Sequence, residues 1–159
     1  MSTAARPTRL ITRQGHERLA AELDELVRVR RPQLSDALRA ARAEGGEPEE
    51  NTTLIQALQD QEAVDRRIDE LRALLASAEI AEPPADGTVG LGQAVRIRLG
   101  AGAEPAAYLL VGALEADATR GEISIESPIG QALVGRRAGD VVEVRTPGGL
   151  RRIEVVSVG

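Results

Sequence analysis

Apolar residues recur at helical spacing on both sides of one sharp break, and this limits the N-terminal half to a helical hairpin. Leu19, Leu23 and Leu26 open a stripe with 4-3 spacing, and Leu34, Leu38 and Ala41 continue it. After the break, Leu54, Leu58, Gln61, Val64, Ile68, Leu71, Leu75 and Ala78 follow steps of 4-3-3-4-3-4-3. Such a stripe is a seam that needs a partner helix, and the other arm supplies one. Thr12 suits an N-cap, and Glu17 and Glu22 favour the early turns of a run reaching to about Ala78. Pro32 lies inside the first arm and predicts a local bend near Arg30-Arg31-Pro32, because proline lacks an N–H and its ring crowds the preceding turn. Gly45-Gly46 stops the first arm and Pro48 fits the first turn of the second. Arms of roughly 30 residues at about 1.5 Å each predict a reach of roughly 45 Å.

The bend itself is acidic: Glu44-Gly45-Gly46-Glu47-Pro48-Glu49-Glu50-Asn51. A long hairpin with acid at its tip can carry negative charge into a narrow space and hold a metal ion there. An ordinary solvated turn has the same composition, so the residues alone leave both readings open. Asp65, Arg66, Arg67, Asp69, Glu70 and Arg72 read as the solvated faces of the second arm.

Glu82-Pro83-Pro84-Ala85-Asp86-Gly87 reads as a linker. Beyond it the period changes from that of a helix to two. Val95, Ile97 and Leu99 alternate with Arg96 and Arg98, and further strands are expected over 108–111, 122–125, 141–145 and 153–158, with Pro147-Gly148-Gly149 turning the last hairpin. Ser127-Pro128 followed by Gly135 predicts a short helix. The expected architecture is an all-α antiparallel coiled-coil hairpin over residues 1–82, followed by a small α+β domain over 83–159. No internal repeat is visible.

Composition excludes several functions. The 159 residues carry a formal charge of −5, so nothing recruits nucleic acid by net charge. Every basic side chain is Arg, which we read as coding bias. Without cysteine there is no disulfide framework or thiolate chemistry. Tyr108 is the only aromatic residue, which weakens any reading that needs stacking on bases. The start of the chain lacks the apolar core of a signal peptide, and no apolar run approaches the ~20 residues of a membrane span, so we expect a cytoplasmic chain with no membrane partner. His16 reads as a surface residue, Asn51-Thr52-Thr53 as a sequon without meaning in that compartment, and Gly100-Ala101-Gly102 opens no helix and so is no phosphate loop. Arg9, Arg13, Arg30, Arg31, Arg39 and Arg42 either line one side of the hairpin and favour RNA or are simply solvated.

The chain resembles the Gre family of bacterial transcript-cleavage factors. The resemblance is most specific in Gly121-Glu122-Ile123-Ser124-Ile125-Glu126-Ser127-Pro128-Ile129-Gly130-Gln131-Ala132-Leu133-Val134-Gly135, followed by Gly139-Asp140 and Thr146-Pro147-Gly148-Gly149. Leu114-Glu115-Ala116-Asp117 and Leu10-Ile11-Thr12-Arg13-Gln14-Gly15 fit as well, with Arg31-Pro32, Ala41-Arg42 and Glu50-Asn51 placed as in the family's hairpin.

The resemblance implies a C-terminal domain with an FKBP-like fold that binds RNA polymerase. An isomerase activity is not implied, because that pocket is lined with aromatic residues and this domain has only Tyr108. It implies a hairpin inserted through the secondary channel of a DNA-bound elongation complex, near the nascent RNA. Two tip carboxylates there help hold a second Mg²⁺, shared with the polymerase and not held stably by the factor alone, and the polymerase hydrolyses backtracked RNA. The factor is an accessory protein and not itself an enzyme. Residue by residue, Glu47 and Glu50 match the tip ligands, Glu126, Ser127 and Pro128 match the contact with the polymerase rim, and Arg39 and Arg42 are candidate RNA contacts. Ser127 and Pro128 equally suit a helix cap, and both roles are compatible.

The tip departs from the family's pattern. Glu47 replaces an Asp, the loop is one residue longer, Thr52-Thr53-Leu54 stands where an aromatic residue is usual, and Leu58 stands where a basic one is usual. These departures suit an alternative, a Gre-like regulator that occupies the channel and inhibits without cleaving. A third reading is a coiled-coil module for some other partner. The hairpin satisfies its own seam, so we expect a monomer.

Overall fold

A computed structural model describes residues 9–159; the opening segment read above for a signal peptide lies outside them. Two compact units emerge. One is the helical segment 16–77; the other combines residues 9–15 with 78–159.

In the helical unit, α1 (Arg13–Glu25) runs into a π-helical stretch (Leu26–Arg30) and then α2 (Arg31–Ala43). The bend expected at Pro32 takes this form. Arg31 N–H bonds Leu26 O, five residues back, so the turn before the proline is widened and the helix continues with Pro32 in the first turn of α2. The other arm is α3 (Thr52–Ser77), which begins later than expected, since Pro48 sits in a turn and not in the helix.

The seam also differs at one point. Leu34, Leu38 and Ala41 are buried on α2, and Ile68 and Leu71 on α3, as the spacing predicts. Near the tip, however, α3 buries Ala57 and leaves Leu58 43% exposed, beside Ile55 at 39%. Leu54, Ala57, Gln61, Val64, Ile68, Leu71 and Leu75 form an unbroken 3-4 repeat, whereas a path through Leu58 requires two successive steps of three. Across the arms, Arg67 grips Glu22 with Nε at 2.7 Å and Nη2 at 3.1 Å, and this hydrogen-bonded carboxylate raises the guanidinium's pKa above its ordinary value. Arg31 Nε lies 3.1 Å from Asp65 Oδ1, an ion pair lacking a well-directed hydrogen bond. Half-exposed pairs of this kind each contribute about 1 kcal/mol or less, so the apolar seam holds the hairpin.

The sheet unit is a five-stranded mixed sheet in the order β5-β4-β3-β7-β6: β3 (Ala94–Leu99), β4 (Ala106–Val111), β5 (Glu122–Ser124), β6 (Val141–Thr146) and β7 (Gly149–Val158). Within this five-stranded sheet β4 and β5 pair parallel and the other neighbours antiparallel. A bulge shifts the β3–β7 register between Arg96 and Ile97. One face carries the core (Val95, Ile97, Leu110, Val142, Ile153 and Val155 among others), on which Leu133 of α4 (Pro128–Leu133) packs. The period-two pattern thus gives the expected small α+β domain after a helical hairpin.

The compact units do not follow the division at 82/83 read from the sequence. β1 (Arg9–Ile11) pairs in parallel with β2 (Ala78–Ile80), the segment read as the end of the second helix. Thr12 then caps α1, its Oγ1 accepting from Gly15 N–H at 2.9 Å, while its own N–H (2.7 Å) and hydroxyl both donate to the carboxylate of Glu115, 103 residues away. Glu115 is only 4% exposed. A side chain on Gly15 would overlap that carboxylate, and one on Gly112 would overlap Leu10 O, so the glycines make room for the buried group. The linker of 82–87 is packed as well: Pro84 lies against Gly90, Pro83 against Gly92, and Gln93 Nε2 donates to Pro84 O at 2.9 Å. No helix among the described residues is long and apolar enough to cross a membrane.

Candidate functional site at the hairpin tip

α2 ends because two consecutive glycines adopt positive φ, Gly45 at 73° and Gly46 at 99°. Few other residues tolerate this region, and the reversal of the chain depends on it. Glu47-Pro48-Glu49-Glu50 then forms a turn closed by Glu50 N–H to Glu47 O at 3.0 Å, with proline at the second position, where its fixed φ is favoured. A turn of this type brings its first and fourth Cα atoms to within about 7 Å. The two carboxylates singled out from sequence, Glu47 and Glu50, are therefore the two ends of one turn.

Glu47, Glu49 and Glu50 are all exposed, and their carboxylates take part in no hydrogen bond or ion pair with other described residues. No basic side chain among the described residues pairs with the tip. Mg²⁺ takes oxygen ligands, often only one or two carboxylates from a protein, and leaves its other positions to water or substrate. Two unengaged carboxylates at the ends of one turn fit that partial role. Among the described residues no group of three or more Asp, Glu, His or Cys side chains gathers as a metal site.

Asn51 follows directly. Its Oδ1 accepts from Leu54 N–H at 3.0 Å, N-capping α3, and its Nδ2 donates to Ala41 O at 3.0 Å on the opposite arm. The sequence shows the asparagine but not this bridge.

The second candidate surface lies in the sheet unit. Ser127 caps α4, its Oγ accepting from Gly130 N–H at 3.0 Å and donating to Ser124 O at 2.7 Å, with Pro128 at the first helical position. Glu126 and Pro128, on either side of the capping serine, are exposed. Pro128 borders an apolar groove with Ile123, Ile129 and Pro147, which periodicity alone did not reveal. Gly130 is fixed here by close packing, since a Cβ would overlap Ser124 O. Arg39 and Arg42 lie on the exposed side of α2, where Arg39 forms only a long 3.5 Å pair with Asp36.

Two family models match the chain: one described as "Transcription elongation factor, N-terminal" over residues 9–80, and one as "Transcription elongation factor, GreA/GreB, C-term" over 84–159. The chain belongs to the GreA/GreB family of transcription elongation factors. It is 40% identical over 151 residues to Transcription elongation factor GreA of Thermomicrobium roseum, covering 93% of this chain and 95% of that one. It is 41% identical over 149 residues to GreA of Cereibacter sphaeroides, with the same coverages. Among solved structures it is similar to GreA factor homolog 1 (Gfh1) of Thermus thermophilus, at 30% identity and a TM-score of 0.42, covering 94% of this chain and 97% of that one. In this GreA/GreB chain the tip turn and the Ser127-Pro128 cap lie in different compact units, the first in the helical unit and the second in the sheet unit.

Proposed function

We propose that this elongation factor binds RNA polymerase in the cytoplasm and stimulates the polymerase's own Mg²⁺-dependent cleavage of backtracked RNA, releasing arrested complexes. The observation that carries this reading is the tip: two exposed, unengaged carboxylates at the ends of one turn on a helical hairpin. Glu126, Ser127 and Pro128, beside the apolar groove, form the docking contact on the sheet unit. The hairpin enters the secondary channel, and Arg39 and Arg42 lie on the arm that passes the nascent RNA.

Within that complex Glu47 and Glu50 would hold Mg²⁺ jointly with the polymerase. When bound, Mg²⁺ supplies positive charge that activates water and stabilises the leaving oxygen of a phosphodiester. The chain's own contribution is to carry negative charge on a support braced by two helices, with those carboxylates free of partners among the described residues. The factor lends groups to an enzyme and performs no reaction alone. The helical seam is satisfied within the hairpin, which suits a monomer.

A second reading is favoured by the exposed Ile55 and Leu58 close to the tip and by the longer Glu47 side chain. It is a channel-occupying inhibitor that does not cleave. One experiment separates the two: stalled, backtracked complexes with end-labelled RNA and Mg²⁺ but no nucleotides. Shortened RNA that vanishes with Glu50→Ala or Glu47→Ala supports cleavage. Intact RNA with confirmed polymerase binding, and slowed nucleotide addition, turns the reading to inhibition.

A further inference from the structure

At the end of α2 the hydrogen-bond ladder skips the carbonyl of Ala41. Glu44 N–H bonds Ala40 O at 3.2 Å, but Gly45 N–H, which would continue to Ala41 O, goes instead to Arg42 O at 3.4 Å. Helix ends leave such acceptors without intrahelical partners. Here the Asn51 carboxamide takes Ala41 O as acceptor while its own oxygen satisfies Leu54 N–H, a donor orphaned at the start of α3. One partly buried side chain therefore closes both helix ends. It is also the residue that follows Glu50, the last member of the acidic turn.

We propose that Asn51 is a positioning residue for the tip carboxylates. By tying the start of α3 to the end of α2, it fixes the span that the seven intervening residues Glu44–Glu50 must close. That fixed span holds the closed Glu47–Glu50 turn, of which the two acids are the ends. Two glycines with nothing near them leave the loop otherwise free to adopt other paths, so the turn depends on its anchor. The proposal rests on the reading of Glu47 and Glu50 as a shared Mg²⁺ donor pair. It differs from a capping role because it needs the Nδ2 donor as well as the Oδ1 acceptor.

The test uses the full chain with Asn51→Ser, which keeps a good capping oxygen but is too short to span to the other arm. Asn51→Ala, which removes both bonds, serves as the comparison. In the free protein, amide hydrogen exchange at Glu50 should quicken in Asn51→Ser while Leu54 stays protected. On backtracked complexes the Mg²⁺ concentration for half-maximal cleavage should rise by about tenfold, the scale of loss seen when outer supports of metal ligands are removed, with polymerase affinity unchanged. Wild-type Glu50 exchange, or an unchanged Mg²⁺ requirement, in Asn51→Ser would overturn the proposal and leave Asn51 a cap. If wild-type factor itself shortens no RNA, the donor-pair reading fails separately, and Glu50 exchange alone decides whether the brace exists.

Discussion

Glu115 shows how much one buried side chain can decide. Its carboxylate takes both donors of Thr12, so its removal leaves a buried N–H without a partner. An unsatisfied buried donor costs about 1–3 kcal/mol, and bonds to charged groups lie at the upper end. Urea unfolding should therefore show Glu115→Ala losing about 2–4 kcal/mol and Glu115→Gln about half of that, because glutamine keeps one acceptor oxygen. An alanine variant within 0.5 kcal/mol of wild type would mean that the clamp is incidental. Asp86 shows a surface version of the same chemistry. The Thr88 hydroxyl and N–H donate to its carboxylate and hold its pKa below the ordinary value. A depressed carboxylate pKa stabilises the fold above the unfolded value near pH 4, and that contribution is lost as pH falls through the lower, folded value. Neither partnership was legible in the sequence. Glu115 stood out only as part of a family pattern, and its burial depends on two glycines at distant positions.

At the scale of elements, the helical hairpin and the main sheet could be read from periodicity, because each repeats over enough residues for the pattern to stand out. The exceptions share a cause. β1 and β2 are three residues long, too short to display a period, and β2 directly continues a helix. The seam near the tip was misplaced because leucine outranks alanine in any hydrophobic reading, whereas a 3-4 repeat selects Ala57. This distinction can be measured. Leu58→Ala should change stability by about 0.5 kcal/mol or less, as exposed substitutions do. Ala57→Leu should cost about 1–3 kcal/mol through overpacking, even though it adds an apolar residue to the helix. The reverse order of effects would restore Leu58 to the seam. The π-helical turn before Pro32 was legible in position but not in form: the sequence marks where a bond is missing, and the packing on either side decides how the helix absorbs it.

For the whole molecule, the informative result is which parts belong together. Residues 9–15 belong with the sheet unit, although they run directly into the hairpin. Native-state hydrogen exchange tests this through its denaturant dependence. The Thr12 amide should follow Leu110 in the sheet and not the amides of α2, because its acceptor is Glu115. Exchange in step with α2 would place the boundary at the linker. Of the candidate site, the acidic tip and the Ser127-Pro128 cap were visible as motifs, since capping and turn residues carry local signals. The bridge from Asn51 to Ala41 was not, because it exists only once both arms have met.

The clamp between Thr12 and Glu115 has a consequence for the order of synthesis. A ribosome releases β1 and Thr12 long before it makes β2, and Glu115 follows 103 residues after Thr12. During that interval the hairpin can form, since its contacts lie within residues 16–77. The strand ahead of it has nothing to pair with until the chain beyond the hairpin emerges. The earliest-made part of the described chain is thus among the last to find its place, and a nascent chain displays its acidic tip before its sheet unit is complete.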